Sequence, residues 1–476
     1  MRSMAIDAVL SLDLGTTNWK AGLYEPGRPP LIRSCAVVTT QDEKGYPVYL
    51  PEELWRSVCG LVAGFPPEAL ARVAYVGVSG MAEAGLLLDR ATGRAMTPIV
   101  PWSDPRGLPH MACVPDRFAQ TGLPKHSKYS LFKLLALAEE NDISGAWWLG
   151  VPEYVAWRIT GVRQTDPTLA ARTYAYHVTE GCWDSALLCS LGLSEDIFPP
   201  VAPTGAGMGE ARALPGVPAR ASVSVCGHDH LAAAYALDAL GEGELFLSAG
   251  TAQVLLGLLP EGPLGEQQRR SGLSFGPSPA GKGWVCLGSI QSAGGSINSW
   301  RTWLGLSQDE WWKLAQDASR EASPLMYLPY LAGSGAPHLN PRACGALLGL
   351  RQEHTREDIV RGVLQGVCRE SRWVMEKLGW KDRRVIAAGG LSRQPAYMQA
   401  LCNTLGMPIH CPACAEATLE GAAMLACGAR WAVDAAETVY EPLRRGTEWD
   451  EQHRRYVRWA ERLLELQRED DDHDDL

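Results

Sequence analysis

What the chain lacks narrows its function first. No apolar run reaches the roughly 20 residues that a helical membrane span needs. The stretch from Met1 to Asp13 holds one early arginine, and its apolar part is too short for a signal peptide. A cytoplasmic chain with reduced cysteines is therefore expected. Basic charge is not in surplus: 44 Lys and Arg face 54 Asp and Glu, a formal net charge of −10. Neither nucleic acid nor an anionic membrane is expected as a partner, because both select a basic face. A nucleotide remains open, since loops and a metal hold it locally. A zinc signature is also missing. Among 13 cysteines, Cys411 and Cys414 form a lone Cys-x-x-Cys with no second pair or nearby histidine, and incidental cysteines are the better reading.

What is present is the composition of a soluble globular protein, 46% hydrophobic and 21% charged. At 476 residues the chain is too long for one ordinary domain. Val9 to Leu12 is a β-like run that breaks at Gly15, and Ala21 to Tyr24 follows at once, which predicts a strand–turn–strand hairpin. Pro51 opens a helix with Leu54, Val58 and Leu61 on one face. Val73 to Val78 reads as a buried strand ending in Ser79-Gly80. Val223 to Cys226 runs into Gly227-His228-Asp229-His230, and an alanine-rich helix is predicted over Leu231 to Leu240. Past Gly241-Glu242-Gly243, Leu245 to Leu247 leads into Ser248-Ala249-Gly250-Thr251, an echo of the opening hairpin. Val385 to Ala387 meets Gly389-Gly390-Leu391-Ser392, and a helix bearing Tyr397, Leu401 and Leu405 follows. Further helices are predicted over Thr418 to Arg430 and Asp450 to Arg468. The alternation is that of an α/β protein. Domains are expected over 1–243 and 244–468, with a solvated, disordered acidic tail over 469–476.

Four glycine-rich turns follow predicted strands, around Gly15, Gly227, Gly250 and Gly389-Gly390. Phosphate binding needs glycines for close backbone approach, amide donors, and hydroxyls or a lysine nearby. Asp13, Gly15, Thr16, Thr17 and Lys20 bring that chemistry into one hairpin, although the Walker glycine–lysine–threonine spacing is absent.

In order along the chain, these motifs resemble the FGGY carbohydrate kinases, the family of glycerol, xylulose and ribulose kinases. Asp13 to Lys20 is similar to the family's first phosphate motif, Ser248 to Thr251 to its second, and Ala388 to Ser392, with Gln399 beyond, to its adenosine motif. Gly345 to Leu350, a seven-residue spacer, Asp358-Ile359 and Val363-Leu364-Gln365 fit its C-terminal signature, with Gly362 where alanine or serine is usual. Ser130 to Leu135 resembles the N-terminal signature, with Ala136 in place of the usual tryptophan. The resemblance runs from about Leu10 to about Tyr456.

The resemblance implies two actin-like, ribonuclease H-like domains with ATP in the cleft between them, and Mg²⁺. It implies Asp229 as the base that takes the proton from the attacking hydroxyl; a plain helix N-cap is the competing reading. Asp13 and Asp229 would hold Mg²⁺ through water. Gly15, Thr16, Thr17, Lys20, Gly250, Thr251, Gly389, Gly390 and Ser392 would meet the nucleotide, although Lys20 also reads as a surface lysine. Met81, Glu83, Trp102, Asp104, Lys128, Asp229 and His230 would meet the sugar, with a solvated lysine as the plainer reading of Lys128. Glycerol kinases carry Arg-Glu where this chain has Ala82-Glu83, and xylulokinases carry a Met-His-Gly-like run where Met81 is followed by alanine. The expected substrate is a pentulose, hexulose or matching polyol, and Lys128 keeps an acidic sugar open. A homodimer is left open. The alternatives are an actin-like ATPase without sugar transfer and a degenerate sugar-binding regulator.

Overall fold

The computed structural model describes residues 8–259, 265–281, 283–414, 416–433, 436–443 and 447–474. The chain divides into two units. One comprises Met1–Asp238, Phe275–Trp284 and Ala415–Val433; the other comprises Ala239–Ser274, Val285–Cys414 and Asp434–Leu476.

The first unit is built on a six-stranded sheet. The expected hairpin forms: Ala8–Leu14 pairs antiparallel with Asn18–Tyr24, setting Asp13 opposite Lys20, and Leu31–Ala36 extends it. On the other side Val73–Gly80 runs parallel, with Ser79 beside Asp13. Ser222–His228 continues parallel, with His228 beside Gly80, and Gly207–Glu210 ends the sheet antiparallel. Ala8–Leu14 is buried along its whole length, as a strand covered on both faces is, although Ser11 and Asp13 alternate with the leucines in its second half. Leu10, Leu12 and Leu14 pack with Leu54 and Val58 of helix Pro51–Ala63 and with Val155 and Ile159 of helix Val151–Thr160. Val9 faces the other way, onto Leu419 and Ala423 of helix Ala417–Cys427.

That last helix departs from the linear division at 243, because it belongs to the first unit although it lies far along the chain. It also packs against helix Asp229–Ala236, closely enough that a Cβ on Gly421 would sit 1.9 Å from the Ala232 carbonyl oxygen. Helix Asp229–Ala236 starts two residues before the predicted Leu231 and ends short of Leu240, where Asp238 takes a left-handed φ of 53°.

The second unit repeats the plan. Glu244–Ala249 pairs antiparallel with Gln253–Leu259 and parallel with Arg384–Ala388, setting Ala388 beside Ser248. Ile409–Pro412 continues the sheet parallel and Glu437–Tyr440 antiparallel. Helix Arg356–Leu378, which carries the C-terminal signature, starts at a capping box between Thr355 and Asp358. The final helix is Thr447–Asp474, so it continues past Arg468 into the acidic segment expected to be disordered; residues 475 and 476 lie outside the described residues. Among the described residues no helix is long and apolar enough to cross a membrane.

Candidate active site

Three parallel strands of the first unit end at one edge of the sheet, the edge at which open α/β sheets hold ligands. Asp13 lies near the end of the first, Ser79 and Gly80 at the end of the second, and His228 at the end of the third. Asp13 is 7% exposed, and its Oδ1 has no hydrogen-bond partner. Burial, and next the charge of Asp229, push its pKa up to about 8 against the pull of Lys20. Lys20 donates from Nζ to Glu416 Oε2 at 2.5 Å, so it is an ion-pair partner and not a free surface lysine. Thr16 and Thr17 are exposed in the hairpin turn.

The backbone before Asp229 is fixed from two sides. Gly227 has a φ of 83°, and a Cβ there would lie 2.5 Å from Thr168 Oγ1 and 3.0 Å from Asp166 Oδ2, so only glycine fits. Asp166 caps helix Pro167–Ala170, accepting from the Thr168 and Leu169 amides. The His228 amide donates to Thr168 Oγ1 at 3.0 Å, and Ser79 Oγ donates to the Gly227 carbonyl at 2.8 Å. His228 occupies the N-cap of the next helix, and Asp229 is its first residue. Asp229 Oδ1 accepts from the His230 amide at 2.7 Å and lies 3.3 Å from His228 Nε2 and 3.8 Å from His230 Nε2. Burial pulls the His228 pKa down to about 4 despite the opposing pull of Asp229, so a neutral imidazole adjoins the carboxylate.

Beyond Gly80, the chain carries Met81 and Ala82 into the core and turns at Glu83, which adopts a φ of 64°. Arg172 donates to Glu83 Oε1 from Nε at 2.9 Å and from a terminal nitrogen at 2.5 Å. Burial would raise this carboxyl, but Arg172, Lys128 and His228 outweigh it and hold the pKa at about 2. Lys133 is fully buried, and its Nζ donates to the carbonyls of Glu83, at 3.1 Å, and Lys128. Lys128 is partly buried; burial first, and then Arg172, lower its pKa to about 8. It is therefore not a freely solvated lysine. Trp102 is half-buried, and Asp104 is 2% exposed. Both oxygens of Asp104 accept from Arg106, and Arg106 also reaches Asp42 at 2.8 Å. The Trp-x-Asp-x-Arg segment thus braces itself.

In the second unit, Gly250 and Thr251 form the turn between Glu244–Ala249 and Gln253–Leu259. Their carbonyls accept from the amides of Gly294 and Gly295, which begin helix Gly294–Trp303. Thr251 is exposed. Gly389 and Gly390 are exposed after Arg384–Ala388, and Ser392 Oγ donates to the Gly389 carbonyl at 2.8 Å. Gln399 is occupied by Asn403 and the Glu441 carbonyl.

Asp13, Ser79, His228 and Asp229 are thus brought together, and Met81, Glu83 and Lys128 gather with Arg172 and Lys133. Arg172 had not been singled out in the sequence. The one available signal was a lone charge within Leu169-Ala170-Ala171-Arg172-Thr173-Tyr174, a run otherwise free of charge. Among the described residues, the group of histidine, cysteine and acidic side chains close enough to share an ion is His228, Asp229 and His230, and Cys411 and Cys414 are not part of it.

Comparison with known proteins decides the family. Residues 8–236 match the N-terminal domain of the FGGY family of carbohydrate kinases, and residues 245–430 match its C-terminal domain. A glycerol kinase of Thermus brockianus is 31% identical over 451 residues, covering 87% of this chain and 88% of its own length. The chain belongs to the FGGY family of carbohydrate kinases. A xyloylose kinase from Brucella ovis superposes with a TM-score of 0.84 at 25% identity, covering 96% of this chain and 100% of that one. A ligand-bound xylulose kinase from Lactobacillus acidophilus gives 0.85 at 21%, covering 96% and 98%, and carries the fold alone. The fold is thus α/β with the actin-like plan of FGGY kinases, and the protein is a phosphotransferase that uses ATP to phosphorylate a sugar or polyol. The alternative of an actin-like ATPase without sugar transfer falls away with that membership.

Proposed function

We propose that Asp229 is the general base of this kinase, taking the proton from a substrate hydroxyl as its oxygen attacks the γ-phosphate of ATP. The carrying observation is the position of Asp229: a carboxylate at the end of the parallel strands, beside a neutral His228 and coupled to Asp13. With one oxygen on the His230 amide, Oδ2 has no protein donor among the described residues and is left for a hydroxyl.

The residues present also fit a divalent cation. Asp13 has an unpartnered buried oxygen and is burdened by a second carboxylate, which is a donor set short of positive charge. Asp13 and Asp229 would hold hydrated Mg²⁺, whose chemistry here is to neutralise phosphate charge. On the same reading Gly15, Thr16 and Thr17 in the first unit are nucleotide contacts, as are Gly250, Thr251, Gly389, Gly390 and Ser392 in the second. Lys20 supports this arrangement through Glu416.

The acceptor is a polyhydroxy chain, with a pentulose, hexulose or matching polyol favoured over glycerol. The half-buried ring of Trp102 offers a flat apolar face that suits a longer carbon chain, with Glu83 Oε2 left for a hydroxyl, which supports this preference. Glycerol is the second reading, favoured by the glycerol kinase relative at 31% identity. Phosphoryl transfer from ATP to glycerol, pentuloses, hexuloses and polyols, measured side by side, tests both. Transfer to no member of the panel overturns the reading of a neutral acceptor, and a clear win for glycerol overturns the chain-length reading.

A further inference from the structure

The polar cluster around Glu83 is unbalanced in charge. Three basic side chains, Lys128, Lys133 and Arg172, surround Glu83; burial lowers the Lys133 pKa to about 7, and Asp104, which also acts on Lys133, is already held by Arg106. Burial pulls the pKa of His126 down to about 3, so it adds no charge at neutral pH. Arg172 is satisfied by Glu83 Oε1, and Lys133 by two backbone carbonyls. Lys128 is not satisfied. Among the described residues its Nζ has no hydrogen bond and no carboxylate within ion-pair distance; Glu83 attracts it only from farther off, and the ring of Tyr129 lies 5.5 Å away by its centroid. Arg172 lies 5.2 Å from the centroid of the same ring, so two cations share one aromatic.

An ammonium group withdrawn from water loses hydration that a paired anion would compensate, and Lys128 is partly withdrawn. The loop holding Lys128 is also fixed: its amide donates to His126 Nδ1 at 3.0 Å and its carbonyl accepts from Lys133. The side chain is thus presented from an ordered backbone.

We propose that the phosphoryl acceptor is a polyhydroxy acid whose carboxylate pairs with Lys128, while Glu83 Oε2 receives one of its hydroxyls. This deepens the kinase reading and rests on it. A carboxylate supplies the anion the cluster lacks, whereas a neutral sugar or polyol leaves Lys128 as it is. Charge-assisted pairing of this kind is the stronger class of hydrogen bond.

The test uses the full-length protein with ATP and Mg²⁺ and a panel of four- to six-carbon aldonates, each beside its alditol and 2-ketose. The expected result is a kcat/KM for one aldonate at least about tenfold above its neutral counterparts, with the difference mainly in KM. Lys128→Met should lower the aldonate-to-alditol ratio by about 10- to 100-fold, and Lys128→Arg should restore part of it. Melting temperatures of both variants, and calorimetric binding of the aldonate without nucleotide, separate a lost contact from a lost fold. Efficient transfer to neutral substrates with none to aldonates overturns this inference and leaves the kinase reading standing. An unchanged aldonate-to-alditol ratio in a folded Lys128→Met protein does the same. No transfer to any member overturns the kinase reading itself.

Discussion

Arg172 holds Glu83 through two nitrogens on a single oxygen, Oε1, and the two side chains are 11% and 9% exposed. The second oxygen of Glu83 is thereby kept out of the pair. A residue with a φ of 64° is held in that uncommon conformation partly by this bond and partly by Ser130 Oγ and Lys133 Nζ, which both donate to its carbonyl. Removing one partner of a buried pair strands the other charge. Arg172→Met is expected to cost about 3–5 kcal/mol in urea unfolding, and the double variant with Glu83→Gln should recover part of the loss. A double variant as unstable as the single one would mean that Arg172 acts through packing alone.

Asp229→Asn is expected to lower turnover by at least about 10²-fold, with nucleotide and substrate binding largely kept. The amide keeps an oxygen for the His230 amide but has lost the basicity that deprotonates a hydroxyl. Single-turnover kinetics alongside equilibrium binding checks this, and near-normal turnover would remove Asp229 from the chemistry.

Thr16→Val and Thr251→Val should each raise the KM for ATP several-fold more than they weaken binding of the acceptor. Each hydroxyl is exposed in a glycine turn after a strand, and neither has another visible task. Selective loss of acceptor affinity in either variant would contradict the assignment.

Glu153 predicts a pH dependence of stability. It lies in helix Val151–Thr160, accepts from Thr165 Oγ1 at 2.7 Å, and has an unpartnered Oε2. Burial raises its pKa to about 7 from the ordinary 4.5. Between those two values the folded protein holds a proton that the unfolded chain has released. The contribution of Glu153 to stability should therefore fall as pH rises from about 4.5 to 7, by about 3 kcal/mol, and level off above that. Glu153→Gln should flatten this slope and be the more stable protein at pH 8. Parallel curves for the two proteins from pH 5 to 8, by chemical denaturation, would assign the slope elsewhere.

The gathering of Asp13 and Asp229 at one edge of the sheet was legible in the sequence because its parts are local. Asp13, Thr16 and Asp229 each stand within a few residues of a strand end and a glycine, and strand, turn and glycine all leave marks in sequence. Arg172 was not legible, since it meets Glu83 across 89 positions and nothing local announces the pairing. Asp104 shows the opposite case: its partner Arg106 stands two residues away in the same motif, yet only the fold shows the fork that Arg106 makes on its two oxygens. Lys128 could be noticed but not weighed, because burial separates a solvated lysine from a stranded one and burial is a property of the fold.

The placement of helix Ala417–Cys427 imposes a schedule on synthesis. Val9, Tyr24, Cys226 and Ala232 find their apolar partners in Leu419, Ala422, Ala423, Leu425 and Ala426. The ribosome finishes the strands of the first unit at His228, yet this cover is not translated until after Ala415. At ordinary elongation rates the delay is on the order of 10–40 s. During that time one face of the nascent sheet stays bare, a natural target for a holding chaperone. A transcript cut anywhere between the two points would yield a first unit that cannot close its own core.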